Sequence, residues 1–263
     1  MDHAAVLALF DREVREGARP DAPGARVERA HGVVRRVGTG GDWSAVLWSD
    51  LDGATADEAV AAQVRHFAQL GQEFEWKLYG HDRPADLGKR LGAAGFMAEP
   101  EETLMIADLA DLDRTTLDAE PPEGVRLHEV IDAAGVGLMA EAHSLAFGRD
   151  GSRMRDDLLA RLAAGPDALV AVVALSGERP VGAARLETVP GTSFAGLWGG
   201  GVVDGWRGRG IYRALVAHRA RAAAARGYRY LQVDAGDRSR PILERLGFQV
   251  LTTTTPYLSP SST

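Results

Sequence analysis

A short glycine-arginine turn between a strand-like and a helix-like segment constrains the fold of this chain more than any other feature. Upstream, residues Phe194 to Val203 form a strand-like run that three consecutive glycines interrupt. Downstream, from Ile211 to Ala222, apolar residues recur at helical spacing. A glycine loop that opens a helix directs unpaired backbone N–H groups and the positive end of the helix dipole at one point. The intervening turn, Arg207 to Gly210, therefore predicts an anion-binding loop.

The charge around this turn differs from that of the whole chain. Seven arginines and no acidic residue lie from Arg207 to Arg229, whereas the chain has a formal net charge of -7. This local reversal favours a ligand with several phosphates, although a solvated arginine-rich helix face is an alternative interpretation. The loop lacks both the Gly-x-Gly-x-x-Gly string of dinucleotide-binding folds and the Gly-Lys-Ser/Thr string of nucleotide triphosphatases. Those two classes of nucleotide site are excluded.

The loop resembles the acyl-CoA loop of the GNAT acetyltransferases, in which Arg/Gln-x-x-Gly-x-Gly/Ala opens a helix and wraps the CoA pyrophosphate. The likeness continues through the strand-like segment Tyr230 to Val233. It then includes Ile242 to Phe248, which is similar to the family's Leu-Tyr-Glu-Lys-Leu-Gly-Phe helix end. The resemblance spans roughly residues 125 to 258.

This resemblance implies an α/β fold with a mixed sheet, acetyl-CoA as the cofactor, and direct transfer of the acetyl group to an amine. It implies that the cofactor contacts two strand valines and the loop residues, namely Val202, Val203, Arg207, Gly208, Arg209, Gly210, Ile211 and Tyr212. The chain departs from the family at two positions. Tyr212 stands where the family usually has a small residue, and Leu243 replaces the tyrosine that often protonates the leaving sulfur.

The two halves of the chain resemble each other. Ala45 to Trp48 is similar to Ala195 to Trp198, and Leu91 to Phe96 is similar to Leu243 to Phe248. Glycine pairs nine residues apart bracket a strand-like segment in each half, at Gly71 and Gly80 and at Gly227 and Gly236. We expect a duplicated architecture, with two GNAT-like domains in tandem. Chance similarity between two α/β halves is the alternative.

Prolines and a glycine near residues 121–124 interrupt any periodic pattern and predict a boundary. We expect a degenerate domain at residues 1–110, a linker at 111–124, and a CoA-binding domain at 125–263. The first half is about six residues shorter where the second half has its loop, and Asp50 and Asp52 stand in that place. Because aspartates repel phosphate, only the C-terminal half is expected to bind the cofactor.

The coarse pattern of the second half alternates strands and helices. Strands are predicted at residues 125–130, 169–175, 181–188, 194–203, 228–234 and 248–257, and helices at 133–147 and 153–164. In the first half, the glycines at 38–41 lie between two strand-like runs and predict a hairpin turn rather than a phosphate loop.

Acyl transfer to an amine needs a group that accepts a proton and a group that stabilises the oxyanion. By position, Asp234 and Glu187 are the candidate bases, and Tyr257 is a candidate acid. Strand-end carboxylates without a catalytic role are the alternative for the first two, and His128 and His143 remain further candidates. A main-chain N–H near residues 201–203 is the candidate oxyanion donor.

Several classes of chemistry are excluded by composition and motif. The chain has no cysteine, which excludes disulfides, thiolate zinc sites and a cysteine acyl-enzyme. His128 and Glu129 are followed by Asp132 where His-Glu-x-x-His requires a second histidine, so no metal site is expected. The chain also lacks the Gly-x-Ser-x-Gly elbow of serine hydrolases.

The N-terminal segment lacks a basic leader, and the longest apolar run, Ala168 to Leu175, is too short for a membrane helix. We therefore expect a cytoplasmic protein without a membrane partner. The acidic net charge argues against a nucleic-acid partner. A small-molecule amine is the expected acceptor, and a non-catalytic acyl-CoA sensor or scaffold is the alternative function. The sequence determines neither the acceptor nor the oligomeric state, although the acids Glu141, Asp150, Asp156 and Asp157 fit either a cationic ligand or an exposed helix face.

Overall fold

The computed structural model describes residues 1–39, 42–165 and 169–260 of the 263-residue chain. The chain divides into two compact units. Unit 1 contains Met1–Met105, Asp234–Pro241 and the C-terminal segment from Val250, and unit 2 contains Ile106–Val233 and Ile242–Gln249.

Unit 1 contains a mixed sheet whose strands follow the order β1, β2, β3, β4, β12. The strands are β1 Arg26–Ala30, β2 Val33–Val37, β3 Ala45–Ser49, β4 Glu75–Tyr79 and β12 Gln249–Leu258, and the short β5 Met97–Ala98 pairs with β12. Strands β3 and β4 pair in parallel, and the other neighbours in this order pair antiparallel. The antiparallel pairing of β2 with β3 has the topology of the predicted hairpin, although Gly40 and Gly41 of its turn lie outside the described residues.

The helices of unit 1 are α1 His3–Phe10, which continues as a π-helical turn over Asp11–Arg15, α2 Ala56–Leu70 and α3 Leu87–Ala93. They pack on an aromatic core in which the rings of Phe67 and Phe74 stack with centroids 4.2 Å apart. Phe96 meets Phe74 edge-on at 5.4 Å. The apolar N-terminal run forms α1 and buries Phe10.

Unit 2 contains strands of a mixed sheet in the order β11, β10, β9, β8, β7. The strands are β7 Val125–Glu129, β8 Leu169–Ser176, β9 Arg179–Thr188, β10 Phe194–Val202 and β11 Tyr230–Ala235, the last of which continues into unit 1 after Val233. Only β10 and β11 pair in parallel among these neighbours. These bounds agree within about two residues with the predicted strands, apart from Ala168 of the long apolar run, which lies outside the described residues. A further strand, β6 Glu102–Asp108, runs across the boundary between the units.

Helices cover both faces of the unit 2 sheet. The helices of this unit are α4 Arg114–Leu117, α5 Ala133–Phe147, α6 Ser152–Ala164, α7 Ile211–Ala225 and α8 Arg240–Arg245, whose first two residues belong to unit 1. One core joins α5 and α6 to the sheet through residues such as Met139, Leu158 and Val173. A second core joins α7 to the other face of the sheet and includes Leu215 of α7 and Val172 of β8. Neighbouring positions on β8 therefore serve opposite faces, as expected for a strand buried on both sides.

The same motif occurs once in each unit. Strand β3 pairs with β4 only at Ala45 and Val46, and α2 connects the two strands. Strand β10 pairs with β11 only at residues 194–196, and α7 connects them. Each unit also has a helix end closed by the same backbone bond, from Phe96 N–H to Leu91 O and from Phe248 N–H to Leu243 O. The predicted duplication is confirmed at the level of the fold.

The predicted domain limits at residues 110 and 125 remain a prediction, and the contact-based units divide the chain differently. The boundary between the units falls at Met105 and Ile106, close to the first limit. However, the segments from Asp234 to Pro241 and from Val250 onward group with unit 1, because β12 pairs with β4. The final strand thus groups with unit 1 from Val250 onward.

Unit 1 buries an ion pair between Lys77 on β4 and Asp234. Although burial disfavours its charge, the neighbouring Asp234 raises the pKa of Lys77. Burial, followed by the charge of Asp234, raises the pKa of Glu102 to about 7. Glu102 is therefore a carboxyl that remains protonated in the folded state at pH values where the unfolded chain has ionised it.

We predict that unit 1 loses stability as the pH rises from about 4.5 to about 7, because the unfolded chain ionises Glu102 in this range while the folded state keeps the half-buried carboxyl protonated. A group with a raised acid pKa stabilises the fold below its unfolded pKa and loses that contribution above its folded pKa. Glu102→Gln should flatten the dependence of the melting temperature on pH between about 4.5 and 7. Glu101→Gln on the same segment is the matched control. An unchanged pH dependence in Glu102→Gln would contradict this assignment.

Candidate functional site

Strands β10 and β11 of unit 2 separate after a short parallel contact. The pairing joins Phe194 to Tyr230 and ends at Gly196 opposite Gln232. On its other edge β10 stays paired with β9 as far as Val202, with an irregular register between Trp198 and Gly201. The edge of β10 beyond Gly196 is therefore not used by β11, and a slot opens beside the bulge.

The chain leaves β10 through a glycine-rich loop that leads directly into α7. Gly205, Gly208 and Gly210 have φ angles of +78°, +74° and +89°. A Cβ atom placed on any of these three would meet no other atom within 4 Å, so the loop has open space on its outer side. Gly210 is the N-cap of α7 and has no side chain to satisfy the first N–H groups of the helix. The predicted loop and helix start are thus arranged as an anion-binding geometry requires.

Two arginines are held on this loop by their own contacts. The Nε atom of Arg207 donates to the carbonyl of Val202 at 3.0 Å, and one of its Nη atoms donates to Ala146 O at 3.2 Å. Arg207 also forms an ion pair with Asp204. The guanidinium of Arg209 lies 4.8 Å from the ring centroid of Trp206. Both cations are therefore fixed beside the open face of the loop.

The other arginines of the predicted basic run have structural contacts instead. Arg213 and Arg221 donate to the carbonyls of Thr115 and Leu117 around α4. Arg229 pairs with Asp108 at 3.0 Å. The arginines of this run thus form two groups. Arg207 and Arg209 lie on the loop, and the others bond α7 and the segment after it to neighbouring segments.

Arg219 lies buried beneath the bulge of β10. It is 1% exposed, and it donates to Leu215 O at 3.0 Å and to Arg185 O at 3.3 Å. Burial lowers its pKa to about 10. A Cβ on Gly200 would lie 3.3 Å from the ring of Tyr212 and 3.4 Å from an Nη atom of Arg219, so the glycine permits close packing. The sequence contains a signal that was missed, since Arg219 continues the i, i+4 series of the buried residues Ile211 and Leu215.

The opposite face of the bulge is covered by the end of α5. The ring of Phe147 would be 2.6 Å from a Cβ on Gly201, and the ring of His143 lies 4.6 Å from that of Phe147. The Nδ1 atom of His143 is buried and finds no hydrogen-bond partner among the described residues. Burial, followed by the charges of Arg185 and Arg149, lowers the pKa of His143. This imidazole is therefore neutral at pH 7 and has an unused ring nitrogen.

Arg185 and Glu187 line the same face. Both lie on β9 two positions apart, and the Nε of Arg185 donates to the Glu187 carboxylate at 2.7 Å. The Arg185 guanidinium lies 6.0 Å from the ring centroid of Trp198. A Cβ on Gly199 would lie 3.4 Å from one of its Nη atoms. A cation, a carboxylate and an aromatic ring therefore converge beside the bulge.

The structure distributes the three predicted catalytic residues over both units. Glu187 lies beside the bulge, as described above. Asp234 forms the ion pair with buried Lys77 in unit 1. Tyr257 lies in unit 1 on β12, and its hydroxyl would be 2.6 Å from a Cβ on Gly88, so it packs against α3. The contacts of Asp234 and Tyr257 within unit 1 suffice to explain these two side chains.

Three further residues of the sequence predictions have defined positions in the structure. His128 lies on β7 opposite Val173. Leu243, at the position of the family tyrosine, is fully buried. Val203 donates its N–H to Val181 O at 2.9 Å, so this amide is not available to a ligand. The candidate oxyanion donor is therefore a main-chain N–H group before Val203.

The corresponding slot of unit 1 contains an arginine side chain. Arg15, which is 2% exposed, donates from Nε to the carbonyl of Leu47 on β3 at 3.0 Å. Its Nη atoms donate to Asp11 and Asp82, each at 2.7 Å. The guanidinium lies 3.9 Å from the centroid of the Tyr79 ring on β4. Where β3 and β4 have separated, the gap is thus filled by the protein itself.

The turn before α2 also differs from the loop before α7. A single carboxylate oxygen of Asp52 accepts hydrogen bonds from the N–H groups of Ala54 and Thr55, each at 2.9 Å. It also accepts from the Thr55 hydroxyl at 2.8 Å, and these bonds lower the pKa of Asp52. The anion at this turn is therefore a side chain of the chain itself.

The described residues contain neither a cluster of three metal-ligating side chains nor a helix with the length and apolar character that spanning a bilayer demands.

Comparison with known proteins is consistent with this geometry. Residues 138–248 match the model of the Acetyltransferase (GNAT) family. No curated protein sequence matches the chain.

Three solved structures illustrate the similarity of fold. A GCN5-related N-acetyltransferase from Kribbella flavida is 18% identical with a TM-score of 0.70, over 99% of this chain and 95% of that one. One from Sphaerobacter thermophilus is 18% identical with a TM-score of 0.60, over the same shares of 99% and 95%. A tandem GNAT protein from the clavulanic acid biosynthesis pathway is 13% identical with a TM-score of 0.62, over 92% of this chain and 85% of that one. At these identities the likeness shows the fold, which is that of a tandem GNAT protein.

Proposed function

Because residues 138–248 form a domain of the GNAT acetyltransferase family, we propose that this protein transfers an acetyl group from acetyl-CoA directly to an amine of a small molecule. The observation that carries the proposal is the slot beside β10, which leads into a glycine loop with an uncapped helix start. In this proposal the slot holds the extended pantetheine arm of CoA, and the loop with the helix start holds its diphosphate.

In this proposal the pyrophosphate lies on the N–H groups of residues 208–212, with Arg207 and Arg209 at its sides. The positive φ angles of Gly208 and Gly210 turn successive amides to one side, as in other anion-binding nests. The pantetheine arm runs along the free edge of β10 near Val202. The supporting contact is that from Arg207 to Val202 O, which fixes the loop against that edge.

We assign the cofactor to unit 2 alone. In unit 1, Arg15 occupies the gap between the separated strands, and its removal would leave Asp11 and Asp82 without their cation. The amides before α2 are already bonded to Asp52. A phosphate there would have to displace a carboxylate and would be repelled by it.

The reaction proceeds by attack of the amine nitrogen on the thioester carbonyl carbon, after which the carbon–sulfur bond breaks and CoA leaves. Since the N–H of Val203 points to β9, the N–H of Val202 points to the opposite edge, toward the slot. This amide is the donor that we assign to the developing oxyanion.

We assign removal of the amine proton to His143. Its neutral imidazole has an unpartnered Nδ1 and lies on the face of the bulge where Phe147 contacts Gly201. Glu187 faces the same space, but its carboxylate is bonded to Arg185. The pair of Arg185 and Glu187 therefore orients the acceptor in this assignment. Asp234 and Tyr257 stay predictions without a place in this mechanism.

The assignment of the loop predicts that Gly208→Asp lowers the affinity for CoA at least about tenfold, because it places a carboxylate at the phosphate site. Gly227→Asp is the matched control, since Gly227 also has a positive φ and open space but lies after the C-terminal end of α7. Isothermal titration should give one CoA per chain in the wild type and in the control. Two equivalents per chain, or equal affinities for both variants, would contradict the assignment.

Acetyl transfer itself is tested by thiol release from acetyl-CoA over a panel of small primary amines. Turnover with at least one amine supports the enzyme. Saturable CoA binding with no turnover across a broad panel would favour the sensor or scaffold, which the buried Leu243 at the tyrosine position also fits.

For an amine that turns over, we predict that His143→Gln lowers kcat/KM about 100-fold, the usual share of a general base. The wild-type rate should fall as the pH drops through the lowered pKa of His143, because only the neutral imidazole accepts a proton. The variant should lose this acidic limb and keep its affinity for CoA. His128→Gln, with a histidine on β7, is the control. A variant with an unchanged pH profile would exclude His143 as the base.

A further inference from the structure

Unit 2 contains a second cavity, separate from the slot beside β10. It has a volume of about 350 Å³ and lies between α7, the end of β7 and the start of β8. We call it the α7 cleft. Its lining comes from β7, α6, β8 and α7 and includes Glu129, Val130, Ile131, His218, Arg221 and Arg226. Its size is within the range of small-ligand sites.

The floor of the α7 cleft is apolar. Val130 and Ala171 are buried at 4% and 3% exposure, and Ala222 of α7 also lines the cleft. At the edge of the cleft, Ile131 is 76% exposed. An isoleucine that remains in water beside an apolar floor favours a ligand with an apolar part that would cover both.

The rim of the α7 cleft is mainly cationic. Arg221 is held in place by a hydrogen bond to Leu117 O at 2.5 Å, and Arg226 by one to Ala222 O at 3.2 Å. Glu129 is the one acid of the lining, and its carboxylate lies 3.8 Å from Nε2 of His218. The two arginines give the rim a positive balance, and each keeps further N–H donors beyond the bond described.

His218 lies between the rim and the floor. Its Nε2 atom is buried and has no hydrogen-bond partner among the residues that the structure describes. An unpartnered buried polar atom costs free energy unless a ligand or water satisfies it. Polar groups are thus present for a single anionic head, next to a surface for an apolar tail.

We propose that the α7 cleft binds a small amphipathic carboxylate, whose head group lies between Arg221, Arg226 and His218 and whose hydrocarbon part covers Val130 and Ile131. A carboxylate suits the site better than a polyphosphate, because Glu129 on the same rim repels further negative charge. The apolar floor also offers nothing to a second charged group. This site uses the part of the arginine-rich helix that the CoA loop leaves unused.

The probe is octanoate, and its binding is measured by isothermal titration. Butyrate, which lacks the long tail, and octanol, which lacks the charge, are the comparison ligands. We expect octanoate to bind with one site per chain and more tightly than either comparison ligand. Arg226→Gln and Arg221→Gln should each weaken binding about tenfold, as expected for loss of one charge-assisted contact. Arg153→Gln, an exposed arginine of α6 outside the cleft, is the control with the same change of charge.

Two further measurements locate the bound probe. Octanoate should shift the Ile131 methyl signal in NMR spectra of methyl-labelled protein. It should also bind Gly208→Asp with unchanged affinity, which separates the cleft from the CoA loop. Absence of saturable binding, equal affinity of Arg226→Gln and wild type, or loss of octanoate binding in Gly208→Asp would each overturn the proposal. Because the arginines are exposed and the variants are checked for unchanged melting temperatures, misfolding does not enter the comparison.

Discussion

The separation of two parallel strands determines where the candidate functional site lies. Strands β10 and β11 pair over three residues, and the backbone edge of β10 is then left to something other than a neighbouring strand. An unused strand edge has to be paired, covered or bound by a ligand. In unit 2 the adjacent loop adds unsatisfied helix amides at the same place, so one cofactor can meet both needs.

In unit 1, side chains of the protein itself bond to the strand edge and to the turn before the helix. Its strands also part after two paired residues, yet Arg15 bonds to the freed carbonyl of Leu47. In the turn before α2, the N–H groups of Ala54 and Thr55 are bonded to Asp52. A few side chains thus distinguish an occupied copy of the motif from an open one. Because both units have this motif, our proposal assigns the cofactor from the charges at each slot and not from the fold.

Local sequence patterns predicted much of the fold and the loop. Glycines with positive φ, the helical series from Ile211 and the repeated Leu-to-Phe helix ends each have a short-range cause, so they were readable without a structure. Long-range pairings were not. The ion pair of Lys77 with Asp234 joins residues 157 positions apart, and nothing local indicates it. The return of β12 to unit 1 likewise depends on tertiary packing.

Amide NMR spectra recorded during a CoA titration test the central assignment most directly, because they report each N–H group separately. The account predicts that the signals of residues 208–212 shift strongly and that those of Ala54 and Thr55, whose amides already bond to Asp52, stay in place. Strong shifts at Ala54 and Thr55, or none from residue 208 to residue 212, would contradict it.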